Sequence, residues 1–332
     1  MTESIESQRR PVMRTSVHRG TRVLLVLALA VFGLTCVVSS ATAATVSIEL
    51  CAVPGTAPLP GGGLVPIWGF GKPTTPGDCA TASAGLPGPQ LEAVQGDLVT
   101  ITVRNALPAG HVVSFEIPGV AFDPGPTDAA PGAAVSRSFT AQAGTYLYQS
   151  GGDAGRQEAM GLSGALLVRS LPPNQAYASA TTAYDIESVL VLTAVDPAFN
   201  AAPETYDVHS YKATYWLING KSYPDVPAIT TAAGQRVLLR YLNAGYDNTS
   251  LTLLGTHQQV VARDARLLTN PFSASTETIP AGGTEDTIVV VPAGAPPSTH
   301  GFPLFNRQLH LTSGPQTGTS PIGNGMLVFI QP

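Results

Sequence analysis

Charge is scarce in this 332-residue chain: Asp, Glu, Lys and Arg make up 12% of it, against roughly 25% in typical soluble proteins. The 17 Lys and Arg are outnumbered by 22 Asp and Glu, for a formal net charge of −5. No basic stripe runs through residues 44–332, which excludes nucleic acid as a partner, since that demands clustered cations. Long helical periodicity is missing too. Neither a Gly-x-Ser-x-Gly elbow nor a phosphate-binding glycine loop occurs, which removes the serine-hydrolase and nucleotide-binding classes. Gly and Pro, by contrast, are plentiful at 34 and 29 and spread out, as many tight turns require.

The long apolar run from Val23 to Val38 follows Arg9, Arg10, Arg14, Arg19 and Arg22, and precedes Ala41-Thr42-Ala43. A basic flank, an apolar core and a small-x-small exit describe a secretory signal peptide over residues 1–43, cleaved near Ala43. The run is somewhat short for a membrane span, which needs about 20 residues, and an uncleaved anchor is the alternative. A secreted or periplasmic location is therefore expected. Cys36 leaves with this segment, so Cys51 and Cys79 remain, and in an exported chain the pair is expected to form a disulfide. The loop between them holds Gly61-Gly62-Gly63 and several prolines, and is expected to carry little regular structure.

Strand signals recur along the rest. In Leu98–Asn105, Val99, Ile101 and Val103 alternate with Thr100, Thr102 and Arg104, the pattern of a half-buried strand. Similar short runs include Val112–Ile117, Ala134–Thr140, Thr145–Gln149, Arg236–Leu242 and Thr287–Val291. Short strands between Gly, Pro, Asn and Asp turns predict an all-β sandwich or barrel. The halves also repeat. Pro89-Gln90-Leu91, Gly96-Asp97-Leu98-Val99 and Asn105-Ala106 match Pro227-Ala228-Ile229, Gly234-Gln235-Arg236-Val237 and Asn243-Ala244 at a constant offset of 138 residues. A period of that length means a duplicated domain, since solenoid repeats span about 20–50 residues. The expected organisation is a first domain over 44–170, a linker over 171–185 and a second domain over 186–332.

These segments carry a family likeness. Pro87-Gly88-Pro89-Gln90-Leu91 leading to Gly96-Asp97-Leu98-Val99, then Asn105-Ala106-Leu107-Pro108, resembles the opening of a multicopper oxidase domain. Ala143-Gly144-Thr145-Tyr146-Leu147-Tyr148 and Gly161-Leu162-Ser163-Gly164-Ala165-Leu166 resemble the strands that close it. The resemblance implies two tandem cupredoxin-like Greek-key β-sandwich domains. It also implies four histidine-rich segments, and here this chain departs from the family. The first corresponds to Val113–Gly119, without histidine; the second to Gln149 and Gly151; the third to Thr249–Gly255, again without histidine; the fourth to Gln308-Leu309-His310. A blue-copper centre needs a thiolate and two imidazoles, and Leu309 stands where the thiolate would. Five histidines follow residue 43: His111, His209, His257, His300 and His310.

No cofactor is therefore expected. If copper binds, His310, which alone keeps a ligand type by the resemblance, is the remnant ligand, with His257 or His300 nearby; the alternative is a strand or loop histidine that donates to a backbone carbonyl. His111 is expected in a solvated turn. Glu116 reads as either a buried acid or part of an outward strand face. Gly151–Glu158 reads as a charged surface loop, with ligand binding by Asp153, Arg156 and Glu158 as the alternative. The expected function is that of a non-catalytic binding or structural protein, with an extracellular ligand or protein as partner and self-association left open. The alternative is a copper-dependent oxidoreductase or copper-binding protein with a non-standard or partner-completed site.

Overall fold

Each strand buries one stripe of side chains, and pairs of sheets close over those stripes. The computed structural model describes residues 43–123, 128–295, 301–314 and 325–332. The signal-peptide reading of residues 1–43 and the candidate His300 thus fall almost wholly outside the described residues.

The first set of strands is β1 (Thr45–Pro58), β2 (Leu64–Gly71), β3 (Leu91–Val94), β4 (Leu98–Asn105) and β5 (Val113–Glu116), followed by β6 (Asp128–Ala129), β7 (Ala134–Thr140), β8 (Gly144–Ser150) and β9 (Ser163–Arg169). They form a 4-stranded sheet, β2-β1-β4-β7, and a 5-stranded sheet, β3-β9-β8-β5-β6. Val99, Ile101 and Val103 point inward from β4, as their alternation predicts, to meet Phe115, Tyr148 and Leu166 from the facing sheet.

The second set is β10 (Ile186–Val195), β11 (Tyr215–Ile218), β12 (Ile229–Thr230), β13 (Arg236–Asn243), β14 (Thr249–Leu253) and β15 (Gln258–Arg263), then β16 (Arg266–Ala274), β17 (Thr276–Ile279), β18 (Thr284–Val290), β19 (Phe302–Asn306) and β20 (Leu327–Gln331). A 6-stranded sheet, β11-β10-β13-β18-β15-β16, faces a 5-stranded one, β12-β20-β19-β14-β17. Leu239 and Tyr241 of β13 pack against Leu251, Leu304 and Val328 between them.

The repeated Asn-Ala pair does the same work in both sandwiches. Asn105 Nδ2 donates to the carbonyls of His111 and Ala129, while its Oδ1 accepts from Leu107 N–H. Asn243 Nδ2 donates to the carbonyls of Asp247 and Ile279, while its Oδ1 accepts from Gly245 N–H. Each buried amide satisfies backbone groups of the turn that leaves its strand, which is why the polar residue recurs inside an apolar core.

Cys51 and Cys79 are bonded, with Cα atoms 5.6 Å apart. The segment between them is not irregular, contrary to the sequence expectation. β1 continues to Pro58 and pairs antiparallel with β2, from Cys51 opposite Gly71 to Pro58 opposite Leu64. Gly61, Gly62 and Gly63 all have positive φ (82°, 95° and 100°), so they build the hairpin turn instead of dissolving the strands. Within residues 171–185, Ala176 and Tyr177 pack with Leu238, Val261 and Ile288.

The two sandwiches meet face to face. Side chains of β8 that point away from the first core reach the second sandwich: Leu147, with Ala165 of β9, packs on Val191 and Leu242. Beside this apolar contact lies a buried polar one. Thr145 Oγ1 donates to Asp286 Oδ1 at 2.6 Å and accepts from Arg240 Nη1 at 2.7 Å. Tyr177 Oη donates to Asp286 Oδ2 at 2.6 Å, and Arg240 Nε donates to Glu187 Oε1 at 2.6 Å. Arg240 and Asp286 side chains are each 1% exposed.

Two outcomes follow. Removing the disulfide in Cys51→Ala/Cys79→Ala closes no 28-residue loop, and should cost about 3–4 kcal/mol in denaturant unfolding by the chain-entropy account. Asp286→Ala leaves Arg240 buried beside a missing partner and should cost about 3–5 kcal/mol in the same assay. An unfolding midpoint unchanged by Asp286→Ala would contradict the anchoring role.

Candidate functional site

Strand register, rather than chain order, assembles the site. Glu116 on β5 is paired with Gln149 on β8, and Gln149 is paired with Ser163 on β9. Directly paired residues project from the same face of a sheet, so Glu116, Gln149 and Ser163 form a row across three strands. The face is the one that continues Thr145 and Leu147 towards the second sandwich.

A short helix places the fourth side chain above that row. Helix α1 (Arg156–Met160) starts after Gly155 and stops at Gly161, both in the left-handed region, where a glycine carries no Cβ penalty. Its Gln157 is fully buried. Gln157 Nε2 donates to the Val112 carbonyl at 2.9 Å, and its Oε1 accepts from Ser150 Oγ at 2.7 Å. Pinned in this way, the helix sets Glu158 over Gln149. Gln149 Nε2 then donates to Glu116 Oε1 at 2.9 Å and to Glu158 Oε1 at 2.6 Å. One amide bridges two carboxylates.

Gln149, Glu158 and Ser163 open on a cavity of about 190 Å³ whose far wall is Asn243, Gly245, Tyr246 and Gly282 of the second sandwich. Ser163 is 2% exposed, and its Oγ has no hydrogen-bond partner among the described residues. A buried hydroxyl left unsatisfied costs about 1–3 kcal/mol. Burial and the charge of Glu116 push the Glu158 carboxyl up to about 7, and burial pushes the Tyr246 phenol up to about 12. Tyr246 Oη donates to the Gly155 carbonyl and so ties the second sandwich to the start of the helix.

The segment 151–158 is therefore not only the charged surface loop expected from sequence: Glu158 turns inward. Asp153 and Arg156 pair with each other at 2.6 Å, and Asp153 also holds His111 Nδ1 at 3.1 Å. His111 is not solvated as expected. It is 8% exposed, sits 4.4 Å from the Trp68 ring and meets Glu204 through Nε2 at 2.7 Å. Buried among an indole and two carboxylates, it fastens the loop.

The other candidates lie elsewhere. His310 stacks on Trp216 with ring centroids 3.9 Å apart, and burial lowers its pKa from the ordinary imidazole value. His257 is exposed in the turn before β15. Among the described residues no three His, Cys, Asp or Glu side chains converge as a metal-binding group. Copper fits this donor set poorly. Both cysteines of the described residues are spent in the disulfide, and the row that replaces the first two histidine segments offers carboxylate, amide and hydroxyl oxygens, whereas copper favours thiolate and imidazole. Sequence reading missed Ser163, Asn243 and Tyr246. The signal for Ser163 is its register opposite Gln149, which alternation alone does not reveal.

The raised Glu158 carboxyl sets a pH dependence. Its folded pKa lies above the unfolded value, so its contribution to stability is fully present below about pH 4.5 and is lost as pH rises through about 7. Glu158→Gln removes that loss. Thermal melts should show the variant matching the wild type near pH 4 and exceeding it at pH 8; equal melting temperatures at both would contradict the burial of this acid.

Comparison with known proteins bears on the same regions. The multicopper oxidase family profile matches residues 72–173. Copper resistance protein A of Pseudomonas syringae pv. tomato is 33% identical over 124 residues, 33% of this chain, and the match spans only 18% of that protein. The blue copper oxidase from Nitrosomonas europaea superposes with a TM-score of 0.71 at 20% identity, over 86% of each chain. The multicopper oxidase mgLAC does so with a TM-score of 0.71 at 20% identity, over 87% of this chain and 86% of its own. Residues 72–173 of the chain thus resemble the multicopper oxidases, and its sandwiches share the fold of the solved oxidases.

Proposed function

We propose that the chain is an exported relative of the multicopper oxidases that binds a ligand instead of reducing oxygen, with the cleft lined by Gln149, Glu158 and Ser163 as its binding site. One observation carries this reading. Where the likeness implies paired histidines, two glutamates share one glutamine amide beside a buried, unpartnered hydroxyl. Electron entry through a blue-copper centre needs a thiolate, and neither cysteine of the described residues has one to give. Export is supported by the basic, apolar and small-residue pattern of residues 9–43 and by the disulfide, which suits an oxidising compartment. The sandwiches then act as a rigid frame that holds the cleft open at their junction.

The test is metal analysis of the purified chain after copper loading and dialysis, with visible and electron paramagnetic resonance spectra and a phenol oxidation assay. The expected result is substoichiometric copper, no blue absorption and no turnover, in the wild type and in His310→Ala alike. Stoichiometric copper that His310→Ala abolishes, or oxidation of phenols, would overturn the reading in favour of a copper protein.

A further inference from the structure

We propose that the cleft lined by Gln149, Glu158 and Ser163, with Glu116 bonded to the Gln149 amide at its edge, is a site for a hard divalent cation of the calcium class. This deepens the binding reading above and rests on it for the location of the site. The kind of donor present selects the ion. The three side chains of the row and Glu158 of the helix above it all offer oxygen: two carboxylates, one amide carbonyl and one hydroxyl. No imidazole or thiolate is among them, and oxygen-only sets select Ca²⁺, Mg²⁺ or Mn²⁺ over copper and zinc.

The second point is where the amide sits. Gln149 Nε2 lies between Glu116 Oε1 and Glu158 Oε1, at 2.9 and 2.6 Å. An NH₂ group that bridges two carboxylates supplies the positive charge density that a cation would supply there. A half-turn of the same amide exchanges Nε2 for Oε1. It would then be unfavourable without a cation and favourable with one, because all three groups would present oxygen to a common centre. The hydrogen-bonded bridge thus stands in for a cation at the same place.

The third point is independent of the acids. Ser163 is 2% exposed, lies directly opposite Gln149 in the register, lines the same cavity and has an Oγ without a partner. A buried hydroxyl in a polar cleft that nothing in the protein satisfies points to a ligand. The cavity of about 190 Å³ has room for several waters at about 30 Å³ each, which calcium needs to complete its six to eight oxygens. Calcium is preferred to magnesium because calcium accepts an irregular set of donors such as this one from three strands and a helix, while magnesium demands near-ideal octahedral geometry.

The experiment is a terbium titration of the purified, chelator-treated chain, exciting the aromatic side chains and using Tyr246 at the cleft as the near sensitiser, with thermal melts in calcium chloride alongside. We expect single-site saturation of terbium emission, displacement by calcium but not by an equal concentration of a simple alkylammonium salt, and a higher melting temperature with calcium. Glu158→Gln should weaken binding on the order of tenfold or more, and Ser163→Ala should weaken it with no change in the circular dichroism of the chain. Absence of sensitised emission, emission and melting shifts that survive Glu116→Gln/Glu158→Gln, or displacement by the alkylammonium salt in place of calcium would each overturn the proposal. Its failure leaves the copper-free reading intact if the copper assay is negative. Stoichiometric copper held by His310 would sink that reading while leaving a calcium response at Glu116 and Glu158 unexplained by it.

Discussion

The buried Arg240–Asp286 pair fixes the geometry on which the cleft depends. A guanidinium and a carboxylate, each removed from water, are tolerable only when every remaining donor and acceptor finds a partner. Thr145 of the first sandwich supplies one, Tyr177 of the connecting segment another, and Glu187 of the second sandwich a third. The network therefore closes only when both sandwiches and the segment between them are in place. Leu147 and Leu242 then pack alongside, and the next outward residue of β8, Gln149, arrives opposite Asn243 and Tyr246. The cleft is the open end of an interface whose other end is locked by charge.

That double burial also decides what the sequence reveals. The bounds of β4 and β7 match those expected from alternation, because one face of each meets the core and the other is polar. β8 and β13 are buried on both faces, so their strand character is plain while the role of each face is hidden. β2 was lost inside a glycine- and proline-rich stretch whose glycines turned out to be a hairpin turn. β16 is mostly exposed and holds Pro271, and an edge strand of that kind has no apolar stripe to betray it.

The site was legible in fragments. Glu116 stood out as an acid among apolar neighbours, and Gln149 as a residue where the likeness implies histidine. Neither observation could join them, since pairing between β5 and β8 spans more than thirty positions of chain. Glu158 seemed part of a charged loop because the buried Gln157, which turns the helix inward, looks from sequence like another polar residue. His111 shows the same limit in reverse: its partners Asp153 and Glu204 are distant in the chain and invisible before folding.

The sandwiches thus share their fold with the multicopper oxidases they superpose on, while their junction carries oxygen donors. The most direct test is a crystal structure of the purified chain grown with both calcium and copper salts, with anomalous data collected at the copper edge. The account predicts an oxygen-coordinated ion at Glu116, Glu158 and Ser163, a rotated Gln149 amide and no copper signal there. A copper peak at that cleft, or an ordered copper bound by His310 with the cleft holding only the Gln149 bridge, would contradict it.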